Sequence, residues 1–502
     1  MKERGRASYS HVLKYTGLFG GVQGLIILIG LVRNKAMALL LGASGMGFSA
    51  LMTSMQTFAS QCTNLGISFG AVPRLSGYYE QDNQYRLEYY VMVIRLWSVM
   101  AAMLGLMFCL VASSFVNYWS FTWGNHTLHY AMLGFSVAMM AFTGGETAIL
   151  KATRHLGSLA RIQIYTAIVS VVFSLPLYFI WGQSGVVPSI LLIALATMVA
   201  TMMYSYRFYP FRLSFRRSLF SEGAGMIRLG LAFVVAGAVG SASEMIIRSF
   251  LNVEGELVDV GLYNVGYMIT ITYAGMVFSS MESDYFPRLS AVSSDIPATN
   301  ETANKQMEVS LLLLSPLLVG MLMFLPLLVP LLFSSEFQPV VGMAQVSVLA
   351  MFFKVLTMPV AYITLARGRS MAFLFLETSY YIVLVVAIVL GYRSWGIYGT
   401  GVAIVIAHIA EYVLTTGYAY WKYDYRCTRQ IRQYAICQGL LACMAYVVSL
   451  VCDGWGYWTM EIILVIVSFT YSVCVLRKKT RLWEALMRKV QKRKSSSISK
   501  KL

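Results

Sequence analysis

The sequence predicts an all-α polytopic membrane protein with about fourteen transmembrane helices. Three observations carry that expectation. Of 502 residues, 58% are hydrophobic and 12% charged, about half the charged fraction of a soluble domain. Mean hydropathy is +0.66. Apolar windows of about 20 residues, enough for a helix rising 1.5 Å per residue to cross a hydrocarbon core of roughly 30 Å, recur along almost the whole chain.

Polar breaks set the spans in order. Spans one and two, 13–41 and 46–72, are divided by "GASG". The first is too long for a secretory signal peptide and lacks a clear small-residue cleavage site. Spans three and four, 87–111 and 127–150, flank the longest outer connection, "SSFVNYWSFTWGNHTLHY" (113–130). Spans five and six, 159–181 and 184–206, meet at "WGQSG". Span seven, 223–250, follows a basic loop, and span eight, 259–285, runs into "FPRLS". Spans nine and ten, 307–333 and 341–366, are joined by "SSEFQP"; eleven and twelve, 371–392 and 396–421, meet at "WGIYG". Thirteen and fourteen, 431–452 and 456–476, precede a basic tail, 477–502.

Charge sets the expected orientation. With the N-terminus cytoplasmic, 33 of the 39 Lys and Arg fall on the cytoplasmic side, which places both termini there by the positive-inside bias. The net charge of +17 is therefore read as membrane topology, and no nucleic-acid partner is expected. The tail is expected to lie on anionic lipid as an amphipathic helix. The seven cysteines are scattered, with no C-x-x-C, so neither a metal site nor a disulfide framework is expected. No G-x-x-x-x-G-K-[ST] is present, so no nucleotide and no other cofactor is expected.

A second regularity concerns organisation. "PRLS" occurs at 73–76 and again at 287–290, 214 positions apart. The same shift lays Trp181, Gly182 and Gly185 on Trp395, Gly396 and Gly399, and Gly47 on Gly261. Rare residues keeping one register indicate an internal duplication. The expected arrangement is an N-terminal six-helix lobe (1–212), a C-terminal six-helix lobe (215–425) related by an axis along the membrane normal, and two further helices within 431–476. Pro73 and Pro287 are expected to end helices, with Arg74 and Arg288 meeting lipid phosphates. Gly17, Gly20, Gly21 and Gly24 suit close helix contacts and bending.

The segment "GLVRNKAMALLLGASGMGFSALMTSMQTFASQCTNLGISFGAVPRLS" (31–76) resembles the opening of the polysaccharide flippases of the multidrug/oligosaccharidyl-lipid/polysaccharide (MOP) exporter superfamily. The resemblance lies in an Arg late in span one, a Leu-Gly turn, a Gly-aromatic start to span two and a Leu-Gly-Ile-Ser before its end. "LARGRSMAFLF" (365–375) and "WGIYGTGVA" (395–403) are similar to the same family. The resemblance implies a MATE-like fold in a bacterial inner membrane. It implies movement of an undecaprenyl-diphosphate-linked oligosaccharide between leaflets by alternating access, with polysaccharide polymerase machinery as a further partner.

Charges placed in hydrocarbon are costly and mark function by default. Arg33, Lys35, Arg95, Arg248 and Lys354 lie within spans, and each is a candidate for gripping a diphosphate. Arg33 and Arg248 are nearly register mates and are expected to serve one central cavity. Other readings stay open: Arg248 can pair with Glu244 four residues earlier, while Arg95 and Lys35 can snorkel to an interface. Arg33 and Lys354, without acidic neighbours in their own spans, are the leading substrate contacts. His408 and Glu411, three apart on one helix face, are either an ion-coupling relay or a buried pair. Glu146 and Glu377 are expected to pair with loop cations.

Two other functions compete. A MATE-type drug exporter shares the fold but relies on core acids, and span one holds none. A membrane polysaccharide polymerase or glycosyltransferase needs catalytic groups on sizeable loops, and the outer connections are mostly short.

Overall fold

The computed structural model describes residues 2–122 and 124–479. The basic tail beyond 479, and with it the expected amphipathic helix, lies outside the described residues. Among them fourteen α-helices follow one another and no strand occurs. They are α1 (Lys2–Thr63), α2 (Ile67–Glu80), α3 (Gln84–Ser120), α4 (Thr127–Ala152), α5 (Leu156–Trp181), α6 (Val186–Tyr206) and α7 (Arg217–Glu254). The chain continues with α8 (Leu257–Tyr267), α9 (Tyr273–Ala291), α10 (Ile296–Leu332), α11 (Val340–Ala366), α12 (Ser370–Tyr423), α13 (Arg429–Val451) and α14 (Gly454–Lys479).

Among the described residues ten stretches are long and apolar enough to cross a membrane. Three of them, Val22–Thr63, Leu156–Tyr206 and Ser370–Tyr423, are 42, 51 and 54 residues long. Each is about twice the length one crossing needs, so each holds two. Span eight is the remaining crossing: α8 and α9 joined through a single π-helical turn, Met268–Thr272. The expected spans are thus present, but several expected loops shrink to a few residues.

Glycine makes these breaks possible. α1 turns at Gly42 (φ 65°, ψ −167°). Gly182 (φ 55°, ψ −133°) separates α5 from α6, and Gly396 (φ 59°, ψ −143°) divides α12. Positive φ is strained for a residue with a Cβ. Gly182 and Gly396 are the register mates seen in the sequence, and they adopt the same conformation. Their followers repeat a contact as well: a Cβ on Gly185 would strike the Leu177 carbonyl, and one on Gly399 the Gly391 carbonyl, again 214 residues apart.

The proline expectation is corrected. Pro73 lies inside α2, which runs on to Glu80, and Pro287 lies inside α9, which runs on to Ala291. Span two is interrupted earlier, at the left-handed pair Leu65 (φ 54°) and Gly66 (φ 66°). Gly66 is required there twice over, because a Cβ would lie 2.6 Å from the Gly230 backbone of α7. What PRLS repeats is a packing key. Leu75 and Leu289 are both fully buried, each in its own apolar cluster, while Arg74 and Arg288 are exposed. Gly24, by contrast, has nothing within 4 Å of a would-be Cβ, so it makes no close contact.

Two compact units are formed. One comprises the chain up to Val265 together with Val329–Val340; the other comprises Gly266–Leu328 and the chain from Val341 onward. Within the first, the 335–337 turn returns to α1, where Glu336 Oε1 accepts the Ala43 backbone N–H at 3.0 Å. Ala43 opens the second arm of α1, so the carboxylate caps a new helix N-terminus with its unpaired N–H groups and positive dipole end.

Candidate functional site

In the first unit, α1, α4 and α6 line an open cavity of about 430 Å³. Its polar wall consists of Arg33, Thr53, Gln56, Thr143 and Thr147, with Thr197 on α6; Met140, Gly144, Ile190, Ile193 and Ala194 complete it. No carboxylate lines it. The helical spacing explains the wall: Thr53 and Gln56 are three apart, and Thr143 and Thr147 four apart, so each pair shares a face. Gln56 is held by a hydrogen bond from its Nε2 to Ser136 Oγ, 3.0 Å. Arg33 Nε is buried without a hydrogen-bond partner among the described residues. A cation with an unused donor, set among neutral hydroxyls, is an arrangement that favours an anionic group.

The other intramembrane cations are engaged. Lys35 Nζ donates to Pro330 O at 3.1 Å, near the C-terminal end of α10, where carbonyls lack intrahelical partners. Arg95 binds Glu146 of α4 through Nε at 2.7 Å and Nη2 at 3.3 Å. It also donates to Pro210 O at 2.7 Å and Tyr209 O at 2.8 Å, and lies over the Tyr206 ring at 4.7 Å. Glu146 therefore pairs with a span cation and not, as expected, with a loop cation. Together they pin the 207–212 segment to α3 and α4. Arg248 donates to Glu244 at 2.7 Å and to Asn264 of α8 at 3.3 Å, the helical pair foreseen from the spacing.

In the second unit, the reading of Lys354 as a cation without local acids is corrected. α12 brings Glu411 onto it, with Nζ 2.9 Å from Oε1, and Glu377 also contributes to its electrostatic surroundings. Sequence separation hid the pair, since the partners stand 57 residues apart. His408 is buried one turn before Glu411, its Nδ1 3.0 Å from Ile404 O and its ring edge-on to Tyr380 at 5.1 Å. No hydrogen bond joins His408 to Glu411 among the described residues. With one lysine and two carboxylates, this cluster is not a cationic surface.

The end of the 121–126 connection and the first turn of α4 carry an imidazole pair. His126 Nδ1 and His129 Nδ1 lie 3.3 Å apart, and both rings pack on Phe48, at 5.5 and 6.0 Å. Burial first, and then the charge of His129, hold the His126 imidazole below its ordinary value of 6.5.

Reading by charge missed two features. The threonine wall was visible as helically spaced hydroxyls inside apolar spans. Glu461 of α14 was visible as an acid in a window otherwise free of charge.

Several solved structures share this helical fold. The inward closed conformation of the lipid II flippase MurJ matches with a TM-score of 0.68 at 12% identity, covering 92% of this chain and 99% of that one. The inward-facing conformation of a multidrug resistance MATE transporter of the MOP superfamily matches with a TM-score of 0.66 at 14% identity, covering 80% and 94%. A MATE transporter of Vibrio cholerae matches with a TM-score of 0.56 at 14% identity, covering 83% and 100%. A comparison with curated protein sequences found no match. At 12–14% identity these likenesses show the fold, which this chain shares with solved flippase and multidrug-transporter structures. The chain belongs to the polysaccharide biosynthesis protein family, whose model matches residues 36–342.

Proposed function

We propose that the protein flips an undecaprenyl-diphosphate-linked oligosaccharide, such as an O-antigen, capsule or exopolysaccharide repeat unit, across the bacterial inner membrane. Its termini lie in the cytoplasm. One observation carries the substrate class: Arg33, whose Nε has no partner among the described residues, stands at a 430 Å³ cavity whose other polar groups are all neutral. A diphosphate accepts bidentate hydrogen bonds from a guanidinium, and the threonine hydroxyls can donate to its remaining oxygens. Membership of the polysaccharide biosynthesis family supports a glycan cargo. Arg248, whose Nε is also unpartnered among the described residues, is the second contact in this reading. Lys35 and Arg95 position helices around the site. In the second unit, Glu411 and His408 couple an ion, with Lys354 as the charge that proton uptake by Glu411 would release.

A MATE-type cation exporter is the second reading, favoured by the two carboxylates beside Lys354. Reconstituted vesicles loaded with a fluorescent undecaprenyl-diphosphate oligosaccharide separate the two. The wild type translocates the lipid, and Arg33→Ala loses about tenfold or more, matching the 1.5–3 kcal/mol typical of hydrogen bonds to charged groups. Arg33→Lys, which keeps charge but not the planar fork, recovers part of the rate. Full activity of Arg33→Ala, or transport of organic cations with none of the lipid, would overturn the proposal.

A further inference from the structure

Glu461 is completely buried, and neither carboxyl oxygen has a hydrogen-bond partner among the described residues. It sits on the inward stripe of α14, where Tyr457, Glu461, Leu464, Ser468 and Ser472 are all buried at helical spacing. Every other polar group of that stripe is satisfied. Tyr457 donates its hydroxyl to Met323 O of α10 at 2.8 Å, with Gln345 of α11 beside it. Ser468 donates to Gln438 Oε1 of α13 at 2.6 Å, and Gln438 Nε2 donates to Ser472 Oγ at 2.8 Å. Tyr457 on its own helix is the titratable group that faces Glu461, and among the described residues no charged side chain of α10, α11 or α13 interacts with it.

An ionised carboxylate in that position has neither a counter-charge nor a donor, which in hydrocarbon is costly, so the conformation described holds the neutral acid. Even the neutral acid leaves a hydroxyl and a carbonyl unused, which is unfavourable for a buried group. Leucine would fill the stripe without that cost. A packing role therefore does not account for the residue, whereas a role in a second protonation state does.

We propose that Glu461 is a proton-binding site of the transporter, neutral while α14 is packed on α10 and α11 and able to give up its proton when that packing loosens. The site is independent of the assignment of Arg33 and of any cargo. Infrared spectroscopy of the full-length protein in lipid nanodiscs reads it directly. The expected result is a carbonyl-stretch band of a protonated carboxylic acid in the wild type and in Glu411→Gln, absent from Glu461→Gln. The band should disappear reversibly as pH rises between about 4 and 10, the range spanning ordinary carboxyl and phenol titration. If Glu461→Gln does not fold, Glu461→Asp serves instead, with the band shifted in frequency. Identical spectra for wild type and variant, or a band unchanged across the whole range, overturn the proposal. The first outcome means an ionised group, and the second a permanently neutral one.

Discussion

Gly47 and Gly261 form a reciprocal contact in which each residue makes room for the other's helix. A Cβ on Gly47 would strike the Leu257 carbonyl and lie 2.9 Å from Gly261 N; a Cβ on Gly261 would strike the Ala43 carbonyl and lie 3.2 Å from Gly47 N. Both pairs, 47 with 261 and 43 with 257, differ by the 214-residue register read from the sequence. A contact that maps onto itself when the partners are exchanged is the signature of a local two-fold axis. Gly47→Ala and Gly261→Ala should therefore be equally harmful, each by about 1–3 kcal/mol of overpacking. Thermal unfolding of the purified variants checks this. A double variant should lose less than the sum of the two, because one displacement of the helices relieves both clashes.

Arg95 and Glu146 are each only 4% exposed and share their remaining bonds with Tyr209, Pro210 and Ser205. Removing one partner strands the other, so Arg95→Leu or Glu146→Leu should lower stability by about 3–5 kcal/mol. The double variant, which strands no charge, should regain much of the loss. Thermal melts of the two single variants and the double variant measure it, and an additive double variant would contradict the pairing.

Lys354 and Glu411 form a single electrostatic group, and their variants should behave as one. Lys354→Met and Glu411→Gln should show a coupling energy of about 1–3 kcal/mol in a double-mutant cycle of thermal stability. Glu411→Gln should also weaken any dependence of transport on an imposed pH gradient, because the protonatable partner of Lys354 is gone. Gradient dependence equal to that of the wild type would remove Glu411 from the coupling step.

His126 gives a pH dependence whose sign follows from its surroundings. Burial and His129 depress its folded pKa below 6.5, so the unfolded chain binds more protons in the interval between the two values. Stability is then full above about pH 6.5 and falls as pH drops toward the folded value. His126→Phe, which retains the packing on Phe48, should flatten the acid side of a melting-temperature profile. An unchanged profile would show that the imidazole pair does not govern it.

Periodicity and composition determined the membrane class, the number of crossings and some of the places where helices break, though not the break at Leu65 and Gly66. Those properties depend on local chemistry: apolar windows of bilayer length, and glycines where φ must be positive, as at Gly182 and Gly396. Repetition of rare residues likewise marked Gly47 and Gly261 as equivalent. What residues 33, 95, 354 and 411 do was not local. Arg33 and Lys354 look alike in sequence, each a cation with no acid in its own span. Folding gives Lys354 a carboxylate from 57 residues away and leaves Arg33 Nε without a partner among the described residues, beside a hydroxyl-lined cavity. The strength of a charge in hydrocarbon depends on its nearest counter-charge, and only tertiary packing decides which side chain that is.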